Sequence, residues 1–182
     1  MIRFLDIFLS LIGLAVLSPL LAIIFITGLL DTGSPLFRQE RIGRNEKPFI
    51  LMKFRTMRKD AASVASHLAD ASCITSFGKF LRKTKLDELP QLWNVLKGEM
   101  SLVGPRPGLH NQIELRDARK LHNVSCVRPG ITGLAQIYKI DMSTPELLAE
   151  TDAKMIKDLS IYSYFKYILM TLLGKGRGDA VK

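Results

Sequence analysis

The chain has 182 residues, 47% apolar and 24% charged, which excludes a disordered, collagenous or low-complexity protein and favours one domain with an appendage. Its 26 Lys and Arg against 17 Asp and Glu leave a formal charge of +9, so an anionic partner is expected: nucleic acid, an acidic membrane surface or a phosphorylated substrate. Two cysteines, Cys73 and Cys126, and three scattered histidines argue against a disulfide framework, a zinc cluster and a serine-histidine hydrolase.

In chain order, residues 7–30 come first, 24 positions without a charge. As one helix this run would be roughly 36 Å long, enough for a bilayer core of about 30 Å. It is too long for a signal peptide's apolar core of about 7–15 residues, and no small-residue cleavage site follows. Ser18-Pro19 interrupts its middle. Pro19 has no N–H for the Ala15 carbonyl, and its ring crowds that carbonyl. Ser18 is pushed from helical geometry, and its hydroxyl is expected to bond the Leu14 carbonyl. The residues leave open whether this kinked helix crosses the bilayer or turns back. Apart from Arg3, all Lys and Arg lie at position 38 or later, which places the main body in the cytoplasm.

Residues 31–37 carry turn signals and form the exit from the apolar segment. Residues 38–59 hold eight Lys and Arg against two acids, and the alternation in PFILMKFRTM predicts a strand with basic residues on one face. Residues 60–70 read as an Ala-rich helix and 76–82 as a short helix or turn. In LDELPQLWNVLKG, Leu89, Leu92, Trp93 and Leu96 fall at helical spacing, with Gly98 at the C′ position. Pro90 must lie in the first turn, which puts Asp87 near the N-cap. Residues 101–108 are too proline-rich for regular structure. Residues 111–123 read as a polar helix, 127–138 as a turn and a short strand, and 145–160 as a helix. The stretch 161–173, too short to span, suits either a core helix or an interfacial helix in the headgroup layer.

The sharpest candidates for chemistry are Asp87 and Glu88. Acids in a first helical turn commonly do no more than cap N–H groups and stabilise the dipole. Here, however, Arg82, Lys83 and Lys85 precede them and Arg106 follows in the rigid Pro105-Arg106-Pro107 frame. Bases around such a turn make a phosphate site. Two carboxylates there could hold Mg²⁺, or one could attack phosphorus. Arg106 suits either a structural ion pair or a phosphate clamp. Arg128 and Gly130 repeat that theme in a second loop. Lys53, Arg55 and Arg58 suit phosphate or headgroup contacts.

Three blocks carry a family resemblance: SPLFRQERIGRNEKPFILMKFRTM, FGKFLRKTKLDELPQLWNVLKGEMSLVGPRPG and VRPGITGLAQ. With them, from Ser18-Pro19 to Gly178, the chain resembles the bacterial sugar transferases known as small monotopic phosphoglycosyl transferases. The resemblance implies an α/β fold, mostly helical with a small sheet. Residues 1–30 would form a re-entrant membrane helix broken at Ser18 and Pro19. Residues 31–182 would form one compact catalytic domain, with interfacial amphipathic helices, on the cytoplasmic face of the bacterial inner membrane. The implied reaction moves a sugar-1-phosphate from a UDP-sugar to undecaprenyl phosphate, with Mg²⁺, and releases UMP. It is the first membrane step of glycan assembly.

By the same resemblance Asp87 is the nucleophile and forms an aspartyl phospho-sugar, while Glu88 assists as base or metal ligand. Arg82 and Arg106 match the family's phosphate-binding arginines. Lys53, Arg55, Arg128, Gly130 and Gln136 complete the expected substrate contacts. Leu134 stands where the family often has Trp. The chain also lacks the extra membrane helices of larger members and resembles the minimal catalytic unit. An N-acetylated amino sugar as substrate and a homodimer are further expectations, and no nucleic-acid partner is expected. The reading of a different class is a membrane-anchored basic protein whose surface docks anionic lipid or nucleic acid without chemistry.

Overall fold

The computed structural model describes residues 1–61 and 71–175. The helix expected over 60–70 therefore lies almost wholly outside the described residues. Helix α1, Ile2–Thr32, is 31 residues long and ends at Gly33 in the left-handed conformation, φ 69°. It is apolar and long enough to cross a membrane, with a mean hydropathy of 2.7 over an 18-residue stretch. Helical backbone continues through Pro19, so Ser18-Pro19 does not divide α1 into two separate helices; a proline bends a helix without ending it, and the expected kink is compatible with this continuity. The Ser18 hydroxyl donates to the Ala15 carbonyl at 2.8 Å, not to that of Leu14. That is the carbonyl Pro19 cannot bond, so the hydroxyl replaces the missing N–H locally.

One stripe of α1 packs on the rest of the molecule along its whole length. Near its start, Arg3 donates to the Leu96 carbonyl at 3.2 Å and the Met100 carbonyl at 3.4 Å. Asp6, almost fully buried, accepts from Ser101 Oγ, the Leu102 N–H and Tyr164 Oη at 2.8–3.0 Å. Near its end, Ile24 joins Phe54 and Leu81 in a buried cluster, with Leu20 and Leu21 packed against it. The opposite face, including Phe4, Phe8, Leu11, Val16, Ile23, Ile26 and Leu30, is exposed.

Strands β1, Leu36–Ile42, and β2, Pro48–Phe54, form an antiparallel hairpin. The expected strand is β2. Strand β1 begins at Leu36, inside the segment read as a membrane exit, because pairing with β2 outweighs the local turn signals. Directly opposed residues share a face. Phe37, Gln39 and Arg41 therefore lie with Lys53, Leu51 and Phe49.

Helix α2, Ser76–Thr84, starts from a Thr75 cap whose hydroxyl accepts from the Gly78 N–H at 2.9 Å. It ends at Lys85 in the left-handed region, φ 58°. A 3-10 turn, Leu86–Glu88, and helix α3, Gln91–Lys97, follow. The expected single helix is thus divided. Pro90, not Asp87, is the residue that caps α3, since a proline belongs at a helix start, where no N–H is needed. Gly98 ends α3 at φ 85°, as read from the sequence.

The segment read as irregular contains a strand, β3, Ser101–Val103. It pairs in parallel with β4, Gly130–Thr132. Gly104 and Gly130 permit this contact, because a Cβ on Gly130 would lie 2.0 Å from the Gly104 nitrogen. Helices α4, Ile113–Leu121, α5, Leu134–Ile137, α6, Pro145–Lys157, and α7, Ile161–Leu172, complete the described fold. The chain is mostly helical with little sheet. Helix α7 has a buried side and an exposed apolar side. Tyr164 and Tyr167 are core, whereas Tyr162, Phe165, Leu169 and Leu172 are exposed.

Candidate active site

Three segments meet below the β-hairpin: the 3-10 turn with Asp87 and Glu88, the Pro105-Arg106-Pro107 loop, and the Lys53 face of β2. The left-handed residue Lys85 reverses the chain between α2 and the turn. A side-chain-bearing residue in that region is uncommon. The reversal buries both acids, Asp87 at 4% and Glu88 at 7% exposure.

Lys53 Nζ lies 3.3 Å from Glu88 Oε1, and Arg106 Nη2 lies 3.5 Å from the same oxygen. Burial works against the charged Glu88, but Lys53 and Arg106 outweigh it and hold the carboxyl below its usual range. Asp87 has the reverse balance. Burial first, then the neighbouring Glu88 charge, raise its pKa to about 6, against the opposing pull of Lys53, Arg82 and Arg106. Burial also lowers Lys53 to about 8, with Glu88 resisting. One carboxylate is thus held ionised by its cations, while the other takes up a proton just below neutrality.

The arginines are held from outside the site. Arg82 Nε donates to Thr56 Oγ1 at 2.8 Å. Helix α2 approaches Thr56 so closely that a Cβ on Gly78 would lie 2.0 Å from the Thr56 carbonyl oxygen. That contact sets the position of Arg82 on the next turn. The Arg106 loop is tied to both sheets: the Gly130 N–H donates to the Pro105 carbonyl at 2.8 Å, and the Ile42 N–H to the Gly108 carbonyl at 3.0 Å.

The cleft beside these groups is lined by Arg41, Lys53, Glu88, Gln91, Arg106 and Gly130, among others. Asp87, Glu88, Lys53, Arg82, Arg106 and Gly130 are thereby brought together. Other expected contacts lie elsewhere in the hydrogen-bond network. Arg128 Nε donates to the Gly98 carbonyl at 2.8 Å, and Gln136 Nε2 to the Ile131 carbonyl at 2.9 Å. Arg55 donates to the Ser34 and Leu36 carbonyls and stacks over Phe37. It lines a separate hollow with Phe25 and Arg38, where α1 passes into β1.

Sequence reasoning missed Arg41 and Gln91. A signal for Arg41 was present: once β1 is recognised, strand alternation puts Arg41 on the face of Lys53. Gln91 had none, since a buried glutamine on a short helix has no pattern of its own.

The site fits a hard divalent cation by donor chemistry, because Asp87 and Glu88 supply carboxylate oxygens and a bound diphosphate would supply more. What the arrangement can do is hold a polyanion on clustered cations beside an ionisable acid. That is the requirement of phosphoryl-group transfer.

Known proteins point the same way. A family described as bacterial sugar transferase matches residues 1–175. The chain is 40% identical over 185 residues to the galactosyl transferase CpsE of Streptococcus agalactiae, covering 93% of this chain and 41% of that protein. It is 38% identical to the exopolysaccharide production protein PSS of Rhizobium leguminosarum, covering 92% and 88% respectively. It is 37% identical to the UDP-glucose:undecaprenyl-phosphate glucose-1-phosphate transferase of Caulobacter vibrioides, covering 93% and 67%. The chain therefore spans about two-fifths of the streptococcal relative's length and most of the rhizobial one.

Proposed function

The chain belongs to the bacterial sugar transferase family, and from that premise we propose that it transfers a sugar-1-phosphate from a UDP-sugar to undecaprenyl phosphate, releasing UMP. The observation that carries the reading is the buried Asp87-Glu88 pair facing Lys53, Arg82 and Arg106. A protein that only docks anions gains nothing from burying two acids among its cations.

In the mechanism that fits these residues, Arg82, Arg106 and Lys53 bind the donor diphosphate. The Asp87 carboxylate attacks the sugar-side phosphorus, one P–O bond forms, and the bond to the UMP oxygen breaks. UMP leaves with that oxygen. A phosphate oxygen of the lipid then attacks the same phosphorus and displaces the Asp87 carboxylate. Glu88, held ionised by Lys53 and Arg106, keeps those two cations in position during both steps. Mg²⁺, which Asp87 and Glu88 would hold, supplies charge neutralisation for the diphosphate.

The membrane topology that suits this chemistry is re-entrant, since one substrate is soluble and the other confined to the bilayer. In support, both ends of α1 are docked on the same folded body, Arg3 and Asp6 at one end and Ile24 at the other. A helix that crossed would carry one end away from that body. The basic residues that follow α1 favour the cytoplasmic face of the inner membrane. An N-acetylated amino sugar is our proposed sugar, and the rate of each donor in a UDP-sugar panel would identify it.

The test is UMP release by purified protein with Mg²⁺, undecaprenyl phosphate and that panel. Asp87→Asn is expected to lower release by about a thousandfold or more, since removing a nucleophile removes the route. Turnover of Asp87→Asn near the unmodified rate would sink the covalent mechanism.

A further inference from the structure

Arg41 stands out among the groups lining the cleft. Its side chain is buried, at 6% exposure. Two bonds hold it: Nη1 donates to the Pro107 carbonyl at 3.3 Å, and Nη2 to Gln39 Oε1 at 2.6 Å. Neither partner is an acid. Its Nε has no hydrogen-bond partner at all. Buried guanidinium groups ordinarily satisfy their N–H groups and pair with a carboxylate. The charge that faces Arg41 most strongly is the like charge of Arg106, and burial together with that repulsion lowers Arg41 to about 10.

The charge balance of the surroundings is equally uneven. Arg41, Lys53, Arg82, Lys85 and Arg106 act on a site containing two carboxylates. Glu88 is already shared between Lys53 and Arg106. Five cations thus surround two carboxylates, Arg41 and Lys53 among them buried, and two guanidinium groups, Arg41 and Arg106, line one cleft. An anion with two linked charged groups relieves both the repulsion and the open Nε. A guanidinium offers such a group a fork of donors at fixed geometry.

Resting on the reading that the cleft takes a nucleoside-diphosphate donor, we propose that Arg41 is a direct ligand of the donor's diphosphate, sharing it with Arg106. The competing role is positional: through the Pro107 carbonyl, Arg41 would merely hold the Arg106 loop. The two roles differ in what remains when Arg106 is gone.

The experiment is calorimetric titration of the full chain in detergent with UDP and Mg²⁺, on the unmodified protein, Arg41→Gln, Arg41→Lys, Arg106→Gln and the Arg41→Gln/Arg106→Gln double variant. Thermal unfolding establishes that each is folded. Arg41→Gln should weaken UDP binding about ten- to hundredfold, the range for a hydrogen bond to a charged group, and Arg41→Lys less. A further loss from Arg41→Gln in the Arg106→Gln background is expected of a direct ligand. No further loss there would overturn the proposal in favour of loop positioning. If Arg41→Gln does not fold, the lysine variant decides, and unchanged UDP affinity would overturn the assignment. Unmodified protein that binds no UDP would overturn the donor reading first and the role of Arg41 with it.

Discussion

Asp87 and Glu88 are adjacent in sequence but titrate in opposite directions, because nearby cations outweigh burial at Glu88, whereas burial and the Glu88 charge outweigh them at Asp87. The rate of UMP release should therefore fall on the acid side near pH 6, as Asp87 takes up a proton, and again above about pH 8, as Lys53 loses its charge. A rate flat from pH 5 to 9 would separate Asp87 from the rate-determining chemistry. The same shift has a consequence for stability. Asp87 binds its proton more tightly in the folded chain than in the unfolded one, so its burial costs nothing below about pH 4, and the cost grows until about pH 6. Asp87→Asn removes that cost. Its melting temperature should exceed that of the unmodified chain at pH 7.5, and the difference should vanish at pH 4. An active-site residue whose loss stabilises the fold is the expected signature of a site built for reactivity.

At the scale of elements, the attachment of α1 rests on polar contacts in a setting dominated by apolar ones. Asp6 receives three donors from β3 and α7. Tyr164→Phe deletes one of them and should cost about 2 kcal/mol, whereas Asp6→Ala leaves three donors, two of them buried, without this acceptor and should cost roughly 3 kcal/mol or more. Thermal unfolding in detergent measures both. Equal, negligible shifts would mean that the apolar contacts of Ile2, Leu5 and Leu9 with the cluster around Tyr164 hold this end alone. Buried Asn94 plays a comparable part between α3 and the hairpin, accepting from the Met52 N–H and donating to the Ile50 carbonyl. The short helix α3 thus presents Gln91, Asn94 and Val95 inward and leaves Trp93 half-exposed. That is the reverse of what its apolar spacing suggests, because α3 also lies against the apolar helix α1, where Leu92 packs close to Gly13.

For the whole molecule, the unpartnered face of α1 and the outer face of α7 are both apolar and belong to one body, consistent with association with a membrane. The re-entrant reading makes a geometric prediction. Single cysteines placed at Ile2 and at exposed Lys97, in a chain without Cys73 and Cys126, should react with a membrane-impermeant maleimide from the same side of sealed inner-membrane vesicles. Labelling from opposite sides would establish a crossing helix and require α1 to leave its seat on the domain.

Much of this was legible before any fold was known. The apolar run, its proline, the paired acids and the flanking bases are local facts, readable because composition and spacing along one segment determine them. Helices α2, α4, α6 and α7 followed from periodicity for the same reason. Strand β1 did not, since its start lies among turn signals and its pairing with β2 decides it; nor did β3, since a three-residue strand carries no period and exists only because β4 lies beside it. Likewise Pro90's place at the start of α3 could be anticipated, but not the left-handed Lys85 that turns Asp87 and Glu88 inward. The sequence by itself determined the long apolar helix, the acid pair and the family. Only the tertiary structure decided that Glu88 is shared by Lys53 and Arg106, that Arg41 joins them, and that both ends of α1 meet one body. Such contacts join residues up to 158 positions apart, as Asp6 and Tyr164 are, and depend on packing that no local pattern encodes.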